Sequence, residues 1–293
     1  MRHHVALLAS IALGSSPMLA MAQARTNART GEPANPRSGY ADVNGLHMYY
    51  EVHGTGGTPL VLIHGGGSTI ETNFGRVLPL LSRSRRVIAV EVQAHGHTHD
   101  IDRPFTFEQD ADDVAALLDS LHVPRADILG FSNGGTTALQ TAIRHPNKVN
   151  RLVIASSNYR RDGMQKGFWE FMEKESYADM PQPYKDAHLK IDPSEKSVHV
   201  MHDRDARRML AFKDIPDESI KAIQAPTLVV VGDKDVVRLE HALELSRALP
   251  HARLCILPGA HGNYLGEIMP PTMSDRRVAI FADLVAEFLD GRE

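Results

Sequence analysis

Cysteine is almost missing from this chain of 293 residues. Cys255 stands alone, which excludes an intrachain disulfide and any zinc site built from several thiolates. An excess of positive charge is missing too. Thirty-two Lys and Arg face 36 Asp and Glu, so nothing is set aside to neutralise a phosphate backbone, and nucleic acid is excluded as a partner. The apolar stretch Val5–Leu13 stops at Gly14, far short of the ~20 residues that span a bilayer. Internal repeats and low-complexity tracts are absent, and 22 Gly with 17 Pro is ordinary usage, so fibrous and disordered classes fall away. What remains is a globular protein. At this length, one core of about 200–270 residues carrying an insertion is expected rather than two independent domains.

The chain opens on an address. Arg2, His3 and His4 precede Val5–Leu13, then come Gly14 to Pro17 and small residues at Ala20, Ala22 and Ala24. This is the three-part layout of a secretory signal peptide spanning residues 1–24, cleaved near Ala22 or Ala24. The expectation is an exported protein, periplasmic or secreted, with no stable membrane anchor and a flexible tail over residues 25–39.

Alternation begins at Tyr40. Asn44-Gly45 between two alternating runs predicts a hairpin, because the pair supplies the two positive φ angles of a tight turn. Beyond it, short apolar runs at Pro59–Ile63, Arg86–Val92, Ala126–Gly130, Arg151–Ala155, Pro226–Val231 and Arg253–Leu257 alternate with helical patterns. The clearest helix starts at Thr106, with capping-box spacing to Gln109 and a stripe of Val114, Leu117, Leu118 and Leu121. Such alternation predicts an α/β fold: a mostly parallel central sheet with helices on both faces. It breaks between residues 157 and 221, which hold Trp169 and no convincing strand. That stretch reads as a helical insertion, leaving a core of residues 40–156 and 222–293.

Three segments carry chemistry. Gly130-Phe131-Ser132-Asn133-Gly134 follows a strand and opens a helix, and the G-x-S-x-G pattern lifts a serine hydroxyl above the sheet edge on a sharp turn. A hydroxyl needs a base, and the base an orienting acid. Gly232-Asp233-Lys234-Asp235 ends one later strand with two carboxylates, and His261 follows the last strand. Strand C-termini of a parallel sheet share one edge, so Ser132, His261 and a carboxylate can meet there. His64-Gly65-Gly66-Gly67 leaves a strand at the same edge, where glycines let backbone N–H groups approach an oxyanion.

Together these segments resemble the α/β-hydrolase superfamily over about residues 40–290, in the family's order of oxyanion loop, serine, acid and histidine. The resemblance implies an α/β-hydrolase fold with residues 157–221 as a helical cap. It implies Asp235, three residues after Gly232, as the acid, with Asp233 bracing the turn. It also implies Gly66 and Asn133 as oxyanion donors. One loop departs from the family: where Asp-x-Arg-Gly-His-Gly-x-Ser is usual, Gln93-Ala94-His95-Gly96-His97-Thr98-His99-Asp100 stands here. The three alternate histidines read as an exposed loop at the catalytic edge, shaping the entrance without binding a metal.

Within the family, a serine at the elbow argues against dehalogenases and epoxide hydrolases, which use Asp there. Ring-cleavage C–C hydrolases commonly follow their His-Gly pair with Gly-Pro-Gly, whereas Ser68 and Thr69 stand here. The expected activity is therefore hydrolysis of a small-molecule carboxylic ester, lactone or thioester, with no cofactor, by a monomer or homodimer. The alternatives are a C–C hydrolase or perhydrolase using the same triad, and a non-catalytic ligand-binding member of the fold. Met164, Phe168, Trp169, Phe171 and Met172 offer apolar surface either to an acyl group or to packing against the sheet.

Overall fold

The computed structural model describes residues 36–269 and 274–291. The proposed signal peptide and the first part of the tail lie outside the described residues. Eight strands form one sheet: β1 Arg37–Val43, β2 Leu46–His53, β3 Leu60–Ile63, β4 Val87–Val90, β5 Ala126–Phe131, β6 Val149–Ala155, β7 Thr227–Lys234 and β8 Ala252–Ala260, in the order β1-β2-β4-β3-β5-β6-β7-β8. The first two join antiparallel through a turn in which Asn44 and Gly45 have φ of 51° and 83°. β2 pairs antiparallel with β4, and every pairing from β4 to β8 is parallel.

The tail is shorter than the sequence suggests. β1 begins at Arg37, opposite Val52, because its backbone continues the ladder before side-chain alternation becomes visible at Tyr40.

The described helices are α1 Ile70–Phe74, α2 Leu78–Leu81, α3 Phe107–Ser120, α4 Asn133–Arg144, α5 Phe168–Met172, α6 Gln182–Ile191, α7 Glu195–Leu210, α8 Asp217–Lys221, α9 Leu239–Ala248 and α10 Asp275–Asp290. None is long and apolar enough to cross a membrane. Thr106 caps α3 by accepting from Gln109 N at 3.1 Å. The reciprocal half of the box is not made, because the Gln109 side chain donates to Asp113 Oδ1 instead.

Strands β3 to β7 lack polar alternation because both their faces are covered. Val61, Ile63, Ile128 and Ile154 pack with α3, α4 and α9, whereas Leu60, Leu62, Leu129 and Val153 pack with α1, α2 and α10. Helices α5 to α8 fill the segment between β6 and β7. Its downstream end already belongs to the core, through Ile215 and Ile220.

β3 lies between β4 and β5, so the crossover from β3 to β4 runs one way along the sheet and that from β4 to β5 runs back past β3. Such a switch point opens a crevice beyond the strand C-termini. The loops after β3 and β5 border it.

Candidate active site

Ser132 heads α4 with φ 54° and ψ −122°, a conformation that side-chain-bearing residues adopt only when their surroundings impose it. The surroundings here are close backbone contacts. A Cβ on Gly130 would stand 2.1 Å from Gly134 O, and one on Gly134 would stand 2.1 Å from Ile63 O. Strand, turn and helix approach too closely for any residue but glycine. Ser132 N also donates to Ala155 O at 2.9 Å, tying the turn to β6.

His261 follows β8, and its Nδ1 donates to Asp235 Oδ1 at 2.7 Å. That bond leaves Nε2 as the nitrogen able to take a proton. The Phe131 ring packs on the imidazole with centroids 4.7 Å apart, and Ser132 and His261 line one cavity of about 460 Å³. Asp235 is buried and well supplied with donors: Val237 N to Oδ1 at 3.2 Å, and Ser156 Oγ and Gly232 N to Oδ2 at 2.5 and 3.2 Å. Burial pushes its carboxyl up, but the charge and hydrogen bond of His261, with those donors, outweigh burial and hold it below its ordinary value. Asp233 lies elsewhere, exposed at the rim, where it accepts from Gly259 N at 2.7 Å.

The loop after β3 is pinned peptide by peptide. Gly65 N donates to Asn73 Oδ1 at 2.5 Å, and Gly65 O accepts from His64 Nδ1 at 2.7 Å. The His64 Nε2 accepts from Val92 N at 3.2 Å, which fixes the neutral tautomer. Burial, reinforced by the nearby His95 charge, pushes His64 down to about 3. Across a trans peptide the N–H opposes the C=O, so anchoring the Gly65 carbonyl sends the Gly66 N–H the other way. No hydrogen bond among the described residues occupies Gly66 N–H or Asn133 N–H.

The histidine run is not one exposed loop. His95 is fully buried and its Nε2 meets Asp205 Oδ2 at 2.8 Å, while His97 Nδ1 meets Glu91 Oε2 at 2.9 Å. Only His99 is exposed, 3.9 Å from Asp192. The three imidazoles serve three different carboxylates. The reason is the geometry of the turn after β4, which alternates inward and outward. Its bracing also uses substitutes: Gln93 receives Arg103 Nε at 2.6 Å and donates to Asp100 Oδ1 at 2.7 Å.

From the insertion, Met164, Phe168, Phe171 and Met172 line the cavity, together with Met180 and Met209. Trp169 does not. Its Nε1 donates to Arg161 O at 2.7 Å and its ring stacks on Phe212, away from the site.

Sequence reasoning passed over Ser156, Tyr264 and Asp205, and named His64 only as the start of the glycine loop. Ser156 follows β6 at the catalytic edge, so its position was a usable signal. Its Oγ lies 2.6 Å from the buried Tyr264 hydroxyl. Asp205 sits on a helix 138 residues from its partner Gly67, and no local pattern marks it.

A family model described as the alpha/beta hydrolase fold matches residues 58–182. The chain is 28% identical over 235 residues to the human serine hydrolase BPHL, covering 76% of this chain and 79% of that one. It is 29% identical over 263 residues to the 2-hydroxymuconate semialdehyde hydrolase of Pseudomonas sp. strain CF600, covering 81% and 89%. A solved structure titled a putative lipase, from Acinetobacter baumannii AYE, superposes with a TM-score of 0.73 at 19% identity over 97% of this chain and 100% of that one. Sheet order, family model and relatives agree: the chain has the α/β-hydrolase fold, is similar to members of that superfamily and is a hydrolytic enzyme.

Proposed function

We propose that this chain is a serine hydrolase of ester-type bonds, whether carboxylic ester, lactone or thioester, acting by two-step acyl transfer through Ser132. The observation that carries the reading is the meeting of Ser132 and the Asp235-oriented His261 in one cavity. His261 takes the Ser132 proton as Oγ attacks the carbonyl carbon, and Asp235 stabilises the resulting imidazolium. The Gly66 and Asn133 N–H groups receive the developing oxyanion. Collapse expels the leaving group with the proton from His261, and water activated by the same base then releases the acid and restores Ser132. Residues 157–221 act as the cap, and its methionines and phenylalanines suit an aliphatic or aromatic acyl group.

One relative's name favours a second reading, cleavage of a C–C bond in a semialdehyde acid. Such a substrate carries a carboxylate. None of the described residues lining the cavity is Lys or Arg, whereas Glu175, Asp179 and Asp205 are among them. The cavity therefore suits an uncharged ester better.

The test is labelling of the purified protein by a fluorophosphonate, with parallel assays on p-nitrophenyl esters of graded acyl length and on 2-hydroxymuconate semialdehyde. Labelling at Ser132 and ester turnover, both abolished in Ser132→Ala, are expected. Turnover of the semialdehyde about 100-fold above every ester would establish the second reading, and an unlabelled Ser132 would defeat both.

A further inference from the structure

Four ionisable groups, Asp205, His95, Arg208 and Asp110, are buried together behind the loop after β3. Asp205 Oδ2 accepts from Gly67 N at 2.5 Å and from His95 Nε2 at 2.8 Å, while Arg208 Nη2 hydrogen-bonds Asp205 Oδ1. Arg208 Nη1 reaches Asp110 Oδ2 at 2.6 Å, and its guanidinium lies 4.0 Å from the Phe105 ring centroid. The His95 Nδ1 faces Gln93 O at 2.9 Å, so both ring nitrogens meet acceptors and both carry protons. Burial opposes that charge, but Asp205 outweighs it and His95 is raised. The same pairing, with Arg208, overcomes burial at Asp205 and keeps its carboxyl far below the ordinary range.

Burying this much charge is costly, and apolar side chains of similar size fill space better. What apolar side chains cannot do is accept a backbone N–H. Asp205 does so at the peptide next to Gly66, whose own carbonyl receives Ser68 Oγ at 3.1 Å. The preceding peptide is held by His64, so the two planes flanking Gly66 Cα are both fixed, one of them from the insertion. Contact is direct as well: a Cβ on Gly66 would lie 3.1 Å from Asp205 Oδ2 and 2.6 Å from Asn133 Nδ2.

We propose that Asp205 is a positioning residue for the oxyanion loop: by accepting the Gly67 N–H from α7, it sets the peptides around Gly66, and the hole is complete only with the insertion seated on the loop. This rests on the serine-hydrolase reading, in which Gly66 N–H receives the oxyanion. It makes catalysis depend on α7 without α7 touching the reacting atoms.

The experiment compares wild type, Asp205→Ala and Asp205→Asn in three measurements. With p-nitrophenyl butyrate, Asp205→Ala should lower kcat about 100-fold, the scale of a lost oxyanion donor, with KM held within about threefold. Butylboronic acid bonds covalently to Ser132 Oγ, whose proton passes to His261 as boron becomes tetrahedral and anionic. Its affinity should fall in parallel with kcat. In ¹H–¹⁵N spectra the Gly67 amide, downfield in wild type through its bond to a carboxylate, should move upfield in Asp205→Ala. Asp205→Asn keeps the shape and an acceptor oxygen, and should recover kcat to within about tenfold of wild type.

Unchanged kcat, a loss confined to KM, an unmoved Gly67 amide, or an Asn variant as impaired as the Ala variant would each overturn the proposal. Should Asp205→Ala fail to fold, Asp205→Leu, which keeps the volume but offers no acceptor, carries the kcat, boronic acid and amide comparisons. If the wild type neither turns over esters nor binds the boronic acid, the serine-hydrolase reading fails. The Gly67 amide then still decides whether Asp205 holds the loop.

Discussion

Asp233 and Asp235 stand two residues apart on one strand end and do different work. The strand period puts them on the same face, yet the chain leaves β7 after Lys234. Asp235 then turns inward to collect His261, Ser156 and two backbone N–H groups, while Asp233 stays in the sheet and accepts from Gly259 N. Asp235→Asn should therefore lower kcat by roughly 10⁴, because the amide orients the imidazole in the wrong tautomer. Asp233→Asn should leave kcat within about twofold, since an amide oxygen still accepts from Gly259. Steady-state kinetics on an ester, beside far-ultraviolet circular dichroism to show intact folding, separates the two. A reversed pattern would make Asp233 the acid.

At the scale of elements, the elbow between β5 and α4 is the most tightly specified piece of the chain. Gly130→Ala drives a methyl to 2.1 Å from Gly134 O, and neither backbone can retreat without moving Ser132. Overpacking of this kind costs about 3 kcal/mol or more, which in a domain of this size lowers Tm by roughly 6–12 °C. The hairpin glycine gives the contrast. Gly45 has φ +83° with nothing within 4 Å of an added Cβ, so Gly45→Ala carries only the conformational penalty of about 1 kcal/mol. Thermal unfolding of the two variants should rank them in that order.

Across the whole molecule, Arg208 ties the insertion to the core by joining Asp205 on α7 to Asp110 on α3. Asp110 is the partner left short. Its Oδ1 has no hydrogen bond, and burial pushes it up to about 7 from an ordinary 3.8, with Arg208 opposing. The folded state thus holds this proton more tightly than the unfolded chain. Stability from this source is full below about pH 4 and is lost as pH rises through about 7. Urea unfolding at pH 5.5 and pH 8 should show wild type losing more stability over that interval than Asp110→Asn, whose neutral amide removes the titration. Equal losses in the two proteins would show that Asp110 is already ionised at pH 5.5.

The sequence by itself determined what depends on short-range pattern. Both-face burial wrote β3 to β7 as apolar runs, because alternate residues enter two different cores. Asn44-Gly45 dictated the hairpin, and the steric demands of the elbow left Gly130 and Gly134 no substitutes. Parallel strands bring their ends to one edge, so Ser132, His261 and the carboxylates of β7 were already neighbours on topology alone. Tertiary structure decided what depends on which side chain turns inward. Only there does His95 part from His97 and His99 to meet Asp205, Trp169 leave the cavity to its flanking phenylalanines, and Ser156 join Asp235. These choices follow from contacts across tens to hundreds of residues, where burial and charge pairing outweigh anything the local sequence encodes.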